Sequence, residues 1–461
     1  MSLYSYFRIS KPSVGKIPDE DVNVAYKSLR NKTFWGVTVA YSLYYVCRLS
    51  LSVVKQPLID EGVLSAGQLG LVGSALFFVY AVGKFVNGFI ADYCNVRRFM
   101  ATGLFISAIV NLLMGVLGLF HGPAGFMTTL IFVSFAVLWG VNGWMQSMGS
   151  PPGVISLSRW FPRSKRGTYY SIFSATPYIG EFISYNVLAL VVSWLGWQSG
   201  FVVAALAGVI GAVIILVFVS DTPESKGLPS IQEISGEELT KEDKMPTRDL
   251  QKMVFRHPGI WIIALSSAFI YITKYAIAGW GVLFLQKSRG FDLAEASQII
   301  AFSAVFGILG TVLAGWLSDK VFKGDRVKPA VLSGIISTSS LILFLFVGGG
   351  FVLNIFYVSL FSLAVGVLYC IVAGLMAVDI VPRKATGAAL GVVGISSYMA
   401  AGLQDITSGL LIQYNTVHVD GADIYDFGPV SWFWVAASVI SFLLPVLNWK
   451  KMTAYSLSSQ A

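Results

Sequence analysis

Three basic side chains stand inside apolar runs of this 461-residue sequence: Arg48 at the end of YSLYYVCR, Lys84 within YAVGKFVNGFIAD and Lys274 within FIYITKYAIAGW. A cation in a membrane-spanning helix is costly unless it faces a partner or a water-filled cavity, so each marks a candidate site. Arginine offers a planar bidentate fork and lysine a compact point charge, a pairing that complements a phosphoryl group. A phosphate monoester carries about −1.5 to −2 near pH 7, enough to balance two cations at once. Tyr44, Tyr45, Tyr80, Tyr271 and Tyr275 flank these cations at helical spacing. They are candidates to contact phosphate oxygens or an organic moiety, with core packing as the plainer role. The anions inside apolar runs are few: Glu181, Asp379 and Asp405. Glu181 suits a proton-coupling carboxylate or a hydroxyl-binding group, and Asp405, beside Gln404, is similar. The sequence has no zinc-ligand spacing, nucleophile elbow or GxxxxGKS phosphate loop, so neither enzymatic catalysis, a metal or cofactor, nor ATP-driven transport is expected.

The elements that must position these residues follow from composition. The chain is 55% apolar and 12% charged, with a mean hydropathy of +0.71, against roughly 45–50% and 25% in soluble domains. A water-soluble enzyme is thereby excluded. Apolar runs long enough to cross a hydrocarbon core of about 30 Å fall near 33–54, 68–91, 99–120, 126–150, 167–193, 200–219, 259–284, 296–318, 329–348, 352–378, 386–413 and 430–447. With both termini on one face, 26 of the 32 Lys and Arg lie on that face and three, Lys55, Lys287 and Arg289, on the other. This bias predicts cytoplasmic termini and accounts for the net charge of +8 without nucleic acid. Cys47, Cys94 and Cys370 read as small buried hydrophobes, and the first 32 residues lack the apolar core of a secretory signal. Residues 220–258, rich in Glu, Lys, Ser and Pro, read as a cytoplasmic linker. The expected organisation is an N-terminal segment (1–32), a six-helix half (33–219), the linker, a second six-helix half (259–447) and a tail (448–461).

An internal repeat supports that division. The second span ends in GFIADYCNVRR, with Gly88, Asp92, Arg97 and Arg98, and the eighth in GWLSDKVFKGDR, with Gly315, Asp319 and Arg326. Asp92 to Asp319 is a step of 227 residues and Arg48 to Lys274 one of 226. Parallel six-helix halves with a site at their interface are a transporter architecture. In each copy the glycine permits close helix approach, and the aspartate pairs with nearby basic groups or a helix end to close a cytoplasmic gate.

These turns resemble the loop motif of the major facilitator superfamily, over essentially the whole chain. The resemblance implies an all-α membrane protein of twelve transmembrane helices in two pseudo-symmetric halves. The runs around Arg48, Lys84 and Lys274, together with MGSPPG at 148–153 and DTPESKGLP at 221–229, resemble the organophosphate:phosphate antiporter branch, which carries glycerol 3-phosphate and hexose phosphates. That resemblance implies that Arg48 and Lys274 bind the phosphoryl group and that Lys84 is also important. Leu49 and Gly279 stand where many members carry charge, most bacterial members have Arg where Lys274 stands, and the fifth span lacks the usual His. The expected activity is exchange of a phosphate ester for inorganic phosphate by a monomer, in a bacterial inner membrane. A transporter-like sugar-phosphate sensor and a proton-coupled carrier of another organic anion are the alternatives.

Overall fold

The computed structural model describes residues 3–91, 94–120, 126–162, 169, 172–235, 255–317, 321–322, 325–377, 380, 386–419 and 422–458. Its long helices, numbered here in chain order, are α1 (Val22–Asp60), α2 (Ala66–Ala91), α3 (Val96–Leu117), α4 (Phe126–Ser147), α5 (Thr176–Leu195) and α6 (Trp197–Phe218) in the first half. In the second half they are α7 (Pro258–Arg289), α8 (Leu293–Trp316), α9 (Val327–Val347), α10 (Phe351–Met376), α11 (Thr386–Tyr414) and α12 (Gly428–Ser458). Eleven are apolar and long enough to cross a membrane, and α11, of 29 residues and bearing Asp405, completes the set. Burial divides them by position. α1 and α7 are the most buried spans, whereas α6, the most apolar, exposes Leu206, Ile210, Val213 and Val217 on one face. Apolarity here marks contact with lipid, because the interior of a membrane bundle need not be more apolar than its surface.

Several boundaries depart from the sequence reading. α1 begins at Val22, well before the expected 33, because its first turns pack on the first half: the Tyr26 ring stacks on Trp160, and its hydroxyl donates to the Trp160 carbonyl at 2.7 Å. It also runs beyond 54 to Asp60, which moves Lys55 from the expected loop into a buried helical position. The fourth span stops at Ser147 and restarts as a helix at Ser150–Trp160, with proline in its first turn, where a missing N–H carries no penalty. A short hairpin, β1 (Thr416–Val419) with β2 (Ala422–Tyr425), joins α11 to α12. It marks the face opposite the termini, called here the hairpin side.

The halves meet where α2 packs on α11 and α5 on α8, with α1 and α7 crossing between them. Glycines permit the first contact: a Cβ at Gly70 would lie 2.5 Å from the Asp405 carbonyl oxygen and 3.2 Å from the Gly409 Cα. Towards the hairpin side the halves are pinned by the Asp60–Lys287 ion pair and by Gln413, whose Oε1 accepts from the Gly67 N–H at 2.8 Å and the Ser65 hydroxyl at 2.9 Å. Tyr185 adds a hydrogen bond from its hydroxyl to the Ala278 carbonyl. Gly70→Val is therefore expected to hold this side open. A cysteine placed at Ser52, with the three native cysteines replaced, should then react several-fold faster with an impermeant thiol reagent added from that side. Unchanged labelling would mean that the α2–α11 contact does not gate access.

On the terminal side, the beginning of the linker belongs physically to the first half. Asp221 accepts from the Ser10 N–H (2.8 Å) and the Val96 N–H (3.0 Å), and pairs with Arg159 at 2.6 Å. Ser13 and Ile17 donate from their N–H groups to the Glu224 and Gly227 carbonyls, and Gly227 takes the positive φ of 78° that its turn requires. The DTPESKGLP motif is thus a strap that ties the N-terminal segment to α3. Asp221→Ala leaves Arg159 and two N–H groups without this acceptor, and a loss of about 3 kcal/mol is expected. Thermal unfolding of the purified protein measures it, and an unchanged melting temperature would show the strap to be idle.

Candidate functional site

Arg48 is set by the rotation of α1, which a buried polar network fixes. Asn111 and Asn142 both donate to the carbonyl of Cys47, at 3.0 and 3.1 Å, and Ser50 donates to Asn111 at 2.6 Å. Gln146 and Ser107 extend the network through α3 and α4. Arg48 consequently faces the centre of the molecule, 4% exposed, its Nη2 without a hydrogen-bond partner. Aromatic rings surround the guanidinium: Tyr80 at 4.3 Å, Tyr398 at 5.3 Å, Tyr45 at 5.4 Å, Phe77 at 5.6 Å and Tyr275 at 6.0 Å. Cation–π contacts are worth about 2 kcal/mol or more when desolvated, which compensates only part of the cost of burying the charge.

Lys84 on α2 lies 5.0 Å from the Tyr398 ring and 5.9 Å from that of Tyr80. Lys274 on α7 lies 4.7 Å from Tyr178, 5.8 Å from Tyr275 and 5.9 Å from Tyr369. Among the described residues neither lysine has a carboxylate within salt-bridge distance. The structure therefore brings Arg48, Lys84 and Lys274 around one tyrosine cluster, in which Tyr271, Tyr275 and Tyr398 touch ring to ring. Of the tyrosines singled out in the sequence, Tyr80, Tyr271 and Tyr275 are in this cluster, and Tyr45, packed edge-on to Tyr41 in the first half, borders the Arg48 guanidinium from outside it. Tyr44 is not in the cluster, for its hydroxyl donates to the Met100 carbonyl at 2.6 Å.

A fourth cation within the spans behaves differently. Lys55, 2% exposed, bonds to Asp405 Oδ1 at 3.0 Å. The same oxygen accepts from the Trp280 indole at 2.6 Å, and the ammonium sits 3.5 Å from the Trp280 ring centre. Asp405, unassigned between two roles by its sequence context, is thus neutralised by a lysine that the sequence reading placed outside the membrane. Helical spacing held the missed signal: Lys55 is seven residues after Arg48, and so on the same face. Tyr398 is likewise seven before Asp405, and Tyr178 three before Glu181.

Glu181 on α5 is 4% exposed and makes no hydrogen bond among the described residues. It borders a cavity of about 20 Å³ that Lys274 also lines. A second cavity, of about 30 Å³, lies between Arg48, Tyr275, Lys55 and Asp405. Each is water-sized, as expected of halves drawn together on the hairpin side. The expected gate is described only in part. Gly88 and Gly315 lie near the ends of α2 and α8, but Asp92, Asp319 and Asp379 fall outside the described residues. Arg97 donates to the Leu216 carbonyl, Arg98 donates to the Tyr6 carbonyl at 2.8 Å, and Arg326 sits at the start of α9.

Two helical halves around a buried, cation-lined centre define the class: a polytopic membrane transporter rather than an enzyme. The chain belongs to the Major Facilitator Superfamily, whose sequence profile matches residues 37–404. The glycerol-3-phosphate transporter of Bacillus subtilis (strain 168) is 32% identical over 397 residues, covering 84% of this chain and 87% of that protein. A probable hexose phosphate transport protein of Chlamydia pneumoniae is 31% identical over 348 residues, 72% and 74% of the two chains. Among solved structures, a bacterial homolog of the human lysosomal transporter Spinster, inward-facing and unoccupied, has the same fold, with a TM-score of 0.69 at 19% identity over 94% of this chain and 98% of that one.

Proposed function

We propose that the protein exchanges a phosphorylated organic substrate, a glycerol 3-phosphate or hexose 6-phosphate type of ester, for inorganic phosphate by alternating access. The observation that carries this reading is the contrast among the cations within the spans: Lys55 is paired with Asp405, whereas Arg48, Lys84 and Lys274 have no carboxylate within salt-bridge distance among the described residues. The relatives named for glycerol-3-phosphate and hexose phosphate transport support the same ligand class. Arg48 grips the phosphoryl group as a bidentate donor from the first half and Lys274 completes the clamp from the second, with Lys84 beside them. The tyrosine hydroxyls of Tyr45, Tyr80, Tyr271 and Tyr275 serve the remaining oxygens.

Exchange follows from electrostatics. In an empty site the cations repel one another and are poorly solvated, so closing both sides around them is unfavourable. A dianionic ester or phosphate neutralises them, and the halves then rock about the loaded site. Gly88, Asp92, Gly315 and Asp319, with Arg97, Arg98 and Arg326, are assigned to closing the terminal side in the alternate state. The Lys and Arg bias supports a cytoplasmic location for that side, in a bacterial inner membrane, with one chain sufficient for the cycle.

The test is uptake of labelled phosphate into phosphate-loaded proteoliposomes. Saturable exchange, competed by glycerol 3-phosphate or glucose 6-phosphate, is the expected result. Ester binding by folded protein without exchange would make it a sensor. Uptake driven by a pH gradient without internal phosphate would make it a proton-coupled carrier.

A further inference from the structure

We infer that Glu181 heads a hydroxyl-binding subsite beside the phosphoryl clamp, which selects phosphate esters of neutral polyols over esters that carry a second carboxylate. This rests on the exchange reading only for the location of the phosphoryl group. The cavity at Glu181 is bordered by Tyr178 from the first half and by Lys274, Ser303, Ser362 and Phe361 from the second. Its volume of about 20 Å³ admits one small polar group. The Glu181 carboxylate has no hydrogen-bond donor among the described residues, although it is buried. The Ser362 hydroxyl is spent on the Ser303 carbonyl, which leaves the Ser303 and Tyr178 hydroxyls to turn to a ligand.

The repeat sharpens the point. α1 corresponds to α7 and α5 to α11, so the acid of α11 facing α1 has a counterpart in the acid of α5 facing α7. Asp405 is saturated by Lys55 and Trp280. Glu181 is left open beside Lys274, whose charge is committed to the phosphoryl group. A buried acceptor of this kind is stabilised by a hydroxyl donor and repels a carboxylate. An ester gripped by Lys274 extends into this cavity, and the first hydroxyl beyond its phosphoryl group donates to Glu181. Because both halves line the cavity, the organic moiety as well as the phosphate senses the rocking motion.

The experiment compares three esters of one size, glycerol 3-phosphate, 3-phosphoglycerate and n-propyl phosphate, as competitors of phosphate exchange and as thermal stabilisers of the purified protein. In the parent protein, glycerol 3-phosphate should act at concentrations about tenfold to a hundredfold lower than n-propyl phosphate, which lacks the hydroxyl donors. It should act at least about tenfold lower than 3-phosphoglycerate, whose carboxylate meets Glu181. In Glu181→Gln the preference over 3-phosphoglycerate should collapse, read as a ratio that cancels any loss of rate. Equal potency of the three esters in the parent, or an unchanged ratio in the variant, overturns the subsite. Loss of pH-gradient-driven uptake in Glu181→Gln with an unchanged ratio also overturns it, making the residue a coupling group. Absence of exchange with ester preference intact in thermal stabilisation would sink the antiport reading and leave the subsite standing.

Discussion

Alanine at Arg48 or at Lys274 is expected to lower phosphate exchange by about two orders of magnitude or more, since on the proposed reading each substitution removes charge-assisted hydrogen bonds worth roughly 1.5–3 kcal/mol apiece. The loss falls on a group that has no carboxylate within salt-bridge distance among the described residues, so folding should be largely spared. Arg48 rests among Tyr80, Tyr398 and Tyr45 with Nη2 unbonded, and its removal even relieves a buried charge. Initial rates in proteoliposomes, normalised to monodisperse protein, are the measurement. Lys274→Arg is expected to retain part of the activity because charge is kept while geometry changes. Rates for both alanine variants within about threefold of the parent, a difference under 1 kcal/mol, would defeat the two-cation clamp.

The second large effect is at Lys55 and Asp405, and it concerns stability. Lys55→Met strands Asp405 with the Trp280 indole alone, and Asp405→Leu strands Lys55 against the Trp280 ring. Each single variant is expected to lose about 3–5 kcal/mol, the usual consequence of leaving one buried charge uncompensated. The double variant Lys55→Met/Asp405→Leu should regain most of that loss, because an apolar pair of similar volume replaces an ion pair whose desolvation offset much of its attraction. Thermal unfolding in detergent gives all corners of the cycle. Additive losses in the double variant would show that the two side chains act independently. The pair also joins α1 of one half to α11 and α7 of the other, so the double variant should label faster from the hairpin side at a cysteine in place of Ser52.

Much of this was legible in the sequence. Apolar runs fixed the count of spans, because a bilayer of known thickness imposes a length on every crossing helix. The near-equal steps from Arg48 to Lys274 and from Asp92 to Asp319 divided the chain into halves, and the cost of intramembrane charge singled out the three central cations. Helix boundaries were less legible. Tyr26 and Lys55 lie in polar stretches that hydropathy assigns to loops, and only their partners, Trp160 and Asp405, hold them in α1.

What the tertiary structure alone decided was pairing. One sequence holds four intramembrane cations and, among the described residues of its spans, two buried acids, Glu181 and Asp405, and local chemistry cannot say which meet. Helix packing sends Asp405 to Lys55 across 350 residues, leaves Glu181 beside Lys274 with no hydrogen bond among the described residues, and gathers Tyr178, Tyr369 and Tyr398 around cations from three other helices. Cost of burial is a local property and can be read along the chain, whereas its compensation depends on distances that exist only once the helices have packed.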